Sequence, residues 1–154
     1  MNVKRAGTIK FIENWELILK DTYGNIIDKR VIKNTITNVW KSNVQDWMYD
    51  DSGSRPVVLA IGTGSTGATS GDTVLETEFQ RETAVISKPA SYQVKYSKDF
   101  TFISGVSENI TEAGLFDSAV VSGSEMTART TFSSISINEA TTLTVEATIT
   151  IAGS

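Results

Sequence analysis

Three clusters in this chain have residue types and spacing that chemistry could use. The first is Gly62-Thr63-Gly64-Ser65-Thr66-Gly67, which fits G-x-G-x-x-G and follows the apolar run Val57–Ile61. In a dinucleotide fold the third Gly lies at a helix start, whose free amides receive the pyrophosphate. Here a helical pattern begins only at Asp72, and an anionic cap there repels phosphate. Alternating strands follow, not a βαβ unit, and no Gly-Lys-Ser/Thr of a P-loop is present. The segment 62–71 therefore reads as a flexible surface loop.

The second cluster is carboxylates beside arginines. Glu76, Glu78 and Glu82 surround Arg81, while Glu108, Glu112 and Glu125 lie near Arg129 in sequence. Paired carboxylates can hydrolyse glycosides, but only in a cleft that raises one pKa. Surface ion pairing is the plainer reading. Arg81 and Arg129 each adjoin apolar residues and are expected to be half-buried, with Glu112 a partner for either. The third is Asp50-Asp51-Ser52, which lacks the alternating carboxylates and distal Glu of a calcium loop and reads as a solvated helix end.

Composition removes most other chemistry. The 154 residues hold no Cys and no His. Cysteine nucleophiles, His-dependent triads and zinc sites built on Cys or His are excluded. Lys and Arg total 14 against 18 Asp and Glu, a net charge of −4 that argues against nucleic acid as a partner. No stretch approaches the ~20 apolar residues of a membrane span, and the first residues lack the apolar core of a signal peptide. The expectation is a single soluble domain over 1–154, made in the cytosol, with no cofactor and no membrane partner.

The elements that position these clusters read as mainly β. Ile9, Phe11, Trp15, Leu17 and Leu19 fall on odd positions, a strand period. Asp21–Asn25 is a turn and 26–33 returns, so 7–33 is a hairpin packed on the rest. Ile36, Val39, Trp40, Val44 and Trp47 share one helical face, predicting a short helix over about 35–49 capped by Asn34 or Thr35. Trp40 and Trp47 would pack it on a sheet or serve as a contact surface. Asp72 and the Leu75/Phe79 spacing predict a second short helix over about 72–82, followed by a strand over 83–88.

Tyr92, Val94, Tyr96, Phe100 and Phe102 then share an even-numbered face, read as core packing. Residues 118–124 look like the loop of a hairpin with arms at 113–117 and 125–132. Leu143, Val145, Ala147, Ile149 and Ile151 alternate with Thr and Glu. These spacings predict an antiparallel two-sheet β-sandwich with two short helices. Within 107–117, Ile110 and Leu115 or Phe116 are expected in the core. Gly114 is expected to permit a bulge or close backbone approach.

One string goes further: Thr37-Asn38, Ile61-Gly-Thr-Gly64, Asp72-Thr-Val-Leu75, Glu78-Phe-Gln-Arg81, Ile110-Thr-Glu-Ala-Gly-Leu-Phe116 and Met126-Thr-Ala-Arg-Thr-Thr-Phe132. In order and spacing it resembles a group of small virion structural proteins of tailed bacteriophages, from about residue 35 to the C-terminus. The resemblance implies a non-enzymatic particle component, found in the virion after assembly in the host cytoplasm. Its expected partners are itself, as a homo-oligomer, and other virion proteins such as the major capsid protein or tail proteins. Capsid decoration or cementing is the first expectation. A tail, baseplate or fibre-base protein and a carbohydrate-binding attachment module are the alternatives. The loop 62–71 and the polar segment Met1–Ala6 are candidate contacts. A chain that ends just after its last strand is expected to be a compact module, not a long fibre.

Overall fold

The computed structural model describes residues 7–153. Among the described residues the order is β1 (Ile9–Lys20), β2 (Ile26–Lys33), β3 (Thr35–Ile36), α1 (Asn38–Asp50), β4 (Val58–Gly62), β5 (Glu78–Thr83), β6 (Val85–Ser87), β7 (Gln93–Thr101), β8 (Ser107–Phe116), β9 (Met126–Asn138) and β10 (Thr142–Gly153). They form two five-stranded antiparallel sheets, sheet A in the order β2-β1-β10-β7-β6 and sheet B in the order β3-β9-β8-β4-β5. The chain is mainly β with one helix. The contact candidate Met1–Ala6 lies outside the described residues.

The sheets are joined at both edges by single residues. Asn34 turns β2 into β3 on one side, and Ala84 turns β5 into β6 on the other. One buried cluster draws on both sheets, with Trp15, Leu17, Phe100, Leu143 and Val145 from A meeting Leu59, Ile61, Ile110, Leu115 and Ala128 from B. Burying that many large apolar side chains is the main source of stability, at about 1.5–3 kcal/mol each.

Strand β4 explains why 57–61 is a continuous apolar run. Leu59 and Ile61 face the main core. Val58 and Ala60 face outward into a second cluster with Leu75, Phe116 and Met126. Both faces of sheet B are therefore covered here.

The predicted second helix at 72–82 is absent. Glu78–Thr83 is strand β5, paired with β4 from Val58↔Thr83 to Gly62↔Glu78. The Leu75/Phe79 spacing was local, and strand pairing overrides it. Leu75 goes to the outer cluster, while Phe79 packs on the main one. The strand expected over 83–88 is instead the end of β5 and the short β6.

The first helix is present at Asn38–Asp50, and its cap is Thr37, not Asn34 or Thr35. Thr35 is already paired to Arg129 in β3, so the helix cannot start there. Thr37 Oγ1 accepts from Trp40 N at 3.2 Å and also reaches the Met126 and Thr127 carbonyls at 2.6 and 2.9 Å, tying the helix start to β9. Tyr92 leaves the even-numbered face altogether, being exposed with φ 64° just before β7. The arms around 118–124 are longer than expected, extending to all of β8 and β9.

Candidate functional site

The outer face of sheet B collects most of the residues the sequence singled out. Register places Arg129 of β9 opposite Gly114 of β8, Gly114 opposite Ala60 of β4, and Ala60 opposite Arg81 of β5. This row therefore has an arginine on each side of two very small residues. Leu75 lies in the trough they leave: a Cβ on Gly114 would stand 2.9 Å from Leu75 Cδ2 and 2.9 Å from Phe116 Cε2. Gly114 is thus required by a side chain packing down on it. The bulges in β8 fall elsewhere, between Ile110 and Glu112 and between Leu115 and Phe116.

Arg129 is 3% exposed and fully engaged. Its Nε donates to Glu112 Oε2 at 2.9 Å, its Nη1 to Asp72 Oδ2 at 2.8 Å, and its Nη2 to the Thr66 carbonyl at 3.0 Å. Burial opposes the charge, but the bonds to Asp72 and Glu112 outweigh it and raise the guanidinium pKa. For Asp72 burial likewise works against ionisation. The Thr69 amide and hydroxyl and Arg129 prevail, holding its carboxyl below the usual range.

Glu112 is fully buried. Oε1 accepts from Gly64 N at 3.0 Å and Thr77 N at 2.8 Å, and Oε2 accepts from Glu76 N at 3.1 Å as well as from Arg129. Each oxygen thus accepts two hydrogen bonds, which fills the lone-pair capacity of the carboxylate. It also bears on the first two glycines of the G-x-G-x-x-G string. A Cβ on Gly62 would meet the Thr77 carbonyl oxygen first and stand 2.6 Å from Glu112 Oε1, and one on Gly64 would stand 2.5 Å from both Glu112 Oε1 and Glu76 Cβ. Space for the Glu112 carboxylate and for residues 76–77 packed beside it is what these two glycines supply.

Residues 62–71, expected as a flexible loop, are tied at several points. Thr66 N donates to Glu76 Oε2 at 2.7 Å, Thr69 N to Asp72 Oδ2 at 2.9 Å, and Thr111 Oγ1 to the Gly64 carbonyl at 2.6 Å. Asp72 is not a helix cap but the outer jaw of this clamp.

Arg81 makes a second clamp and does not pair with Glu112. It forms a bidentate pair with Glu78, Nε–Oε1 at 2.7 Å and Nη2–Oε2 at 2.6 Å. Its Nη1 donates to the Ser118 carbonyl at 2.8 Å, and the guanidinium carbon sits 4.2 Å from the Phe116 ring centre. Phe116 belongs to the outer cluster and Leu115 to the main core. Among the described residues no three His, Cys, Asp or Glu side chains are grouped to hold a metal ion, and no helix is long and apolar enough to cross a membrane.

Trp40 and Trp47 meet edge to face at 4.9 Å, and Trp40 also meets Phe11 at 6.1 Å. They wall a cavity of about 440 Å3 between α1 and one end of sheet A.

Sequence reasoning passed over Glu13. It occupies an odd position of β1, within the alternation that buries Trp15, Leu17 and Leu19, and is itself buried. That parity was the available signal. Burial pushes its pKa up to about 8 against weaker help from the Asn34 amide and Trp15 indole. Neither contact closes to normal hydrogen-bond geometry. Tyr96, buried nearby, is pushed up to about 12 by burial and then by Glu13, with Arg55 opposing.

No protein-family model matches this chain, and neither the curated proteins nor the solved structures contain a significant match to it.

Proposed function

We propose that this chain is a non-enzymatic structural component of a tailed-phage virion, a capsid decoration or cementing protein that binds the particle surface as a symmetric oligomer. In this reading the two sheets are the layers of an antiparallel β-sandwich. The ordered string from Thr37-Asn38 to Phe132 supports the particle assignment.

The observation that carries the non-enzymatic part is the saturation of Glu112 and Arg129. The conspicuous charged residues are spent on holding the 63–77 segment against sheet B. A stable module of this kind suits a particle component, where many copies multiply weak contacts through avidity.

Quantitative mass spectrometry of purified particles tests the reading. Hundreds of copies per particle are expected. A few to a few dozen copies would move the protein to the tail or baseplate, and its absence from particles would overturn the assignment.

A further inference from the structure

The end of sheet A under α1 carries a socket. Phe11, Ile86 and Ile151 from three strands join Trp40 and Trp47 in lining a cavity of about 440 Å3. That volume lies within the range of pockets that bury a ligand. Ile86 and Ile151 are 49% and 46% exposed, so the rim is apolar and half-wet. Arg55 is the one charged residue in the lining, and among the described residues it pairs with no carboxylate.

A plug stands at the same end. The loop between β8 and β9 presents Val120 and Val121, 65% and 61% exposed. Its base touches the socket's surroundings: Val57 N donates to the Phe116 carbonyl at 2.7 Å, and Asn43 Nδ2 of α1 donates to Glu125 Oε2 at 3.0 Å. Asp117 and Glu125 close the base of this loop, Glu125 N donating to Asp117 Oδ1 at 2.7 Å, and among the described residues neither pairs with a cation.

We propose that this end is a self-docking surface, in which the Val120–Val121 tip of one copy enters the Trp40–Trp47 socket of a second copy. The tip is apolar like the socket, and the carboxylates at its base complement Arg55, which has no carboxylate partner among the described residues. Plug and socket at one end of the molecule permit a closed pair or ring. At opposite ends the same contact would propagate a filament. This deepens the oligomer in the proposed function and rests on it.

Sedimentation velocity across a wide concentration range, with wild type and Val121→Asp, tests the contact. Val121 is exposed, so the substitution leaves folding intact, and it is expected to weaken self-association by roughly 30-fold or more, as for a central interface residue. The chain has no Cys, which gives cross-linking a clean background. Val121→Cys mixed with Ile86→Cys is expected to yield a disulfide-linked heterodimer under oxidation.

Wild-type oligomers that survive Val121→Asp and give no Val121–Ile86 cross-link would overturn the socket while leaving the oligomer standing. A wild type that stays monomeric throughout would overturn both. A Val121→Asp protein of wild-type mass that no longer enters particles would assign the tip to a different virion protein and overturn self-docking.

Discussion

Glu112 and Arg129 form a buried ion pair on neighbouring strands, Oε2 to Nε 2.9 Å, with the carboxylate fully enclosed and the guanidinium 3% exposed. Each also bonds to the segment 64–77, so the pair joins β8 and β9 to the cover of sheet B.

Arg129→Met is expected to destabilise the protein by about 3–5 kcal/mol, because it leaves the Glu112 carboxylate buried without its cation. Adding Glu112→Gln to the same chain is expected to recover part of that loss, since the remaining acceptor still serves the Gly64 and Thr77 amides. Urea unfolding of the two single variants and the double variant measures the coupling. A double variant whose loss equals the sum of the singles would contradict the pairing.

Gly64→Ala is predicted to cost about 1–3 kcal/mol, as expected of overpacking, because its Cβ would meet Glu112 Oε1 at 2.5 Å. Gly67→Ala is the control: nothing stands within 4 Å of its Cβ, and its φ is not positive. That change is expected to be neutral or to stabilise by about 0.4–1 kcal/mol through the unfolded chain. Equal losses at the two positions would remove Glu112 as the reason for the first glycine.

Gly114→Val adds a branched side chain where even its Cβ would stand 2.9 Å from Leu75 and Phe116 side-chain carbons. The expected loss is about 1–3 kcal/mol, with a lower unfolding midpoint in thermal melts followed by circular dichroism. A Gly114→Val protein as stable as wild type would mean that Leu75 does not pack on this row.

Glu13 makes stability depend on pH. Its folded pKa is raised to about 8 from an ordinary 4.5. Below the lower value both states hold the proton and stability is full. Between the two values the unfolded chain releases a proton that the folded one keeps. Stability then falls by about 1.4 kcal/mol per pH unit and levels off above the upper value. Glu13→Gln is expected to remove that slope, so its advantage over wild type grows from pH 5 to pH 9. Denaturant midpoints at both ends check this, and parallel curves for the two proteins would refute it. Asp72 and Glu76, both held below the ordinary range, act in the opposite sense at acid pH and cancel in the comparison.

What could be read from the sequence follows from how local each signal is. The alternation of Trp15, Leu17 and Leu19, and of Leu143, Val145 and Ala147, marks strands because burial repeats every second residue. Trp40, Val44 and Trp47 mark the helix in the same way. Leu75 and Phe79 mimic a helical face, yet they serve two different clusters on either side of sheet B. The role of Gly62 and Gly64 depends on Glu112, far along the chain, and their types alone read as a flexible surface loop. Arg129 and Glu112 were legible as partners, but not the choice of Glu78 by Arg81: three residues apart in a regular strand they would face opposite sides, and the register shift opposite Ile61 and Gly62 brings both to the outer face. Glu13 was hidden by its own charge, because an acid within an apolar series reads as an exception to the pattern instead of a member of it.

The central proposal, a symmetric structural component of a tailed-phage particle, is tested most directly by a cryo-electron microscopy reconstruction of purified particles that carry this chain's gene. The account predicts density for two five-stranded sheets and one helix, repeated at symmetry-related positions on the head shell. Particles whose complete reconstruction has no such density on the head would contradict it.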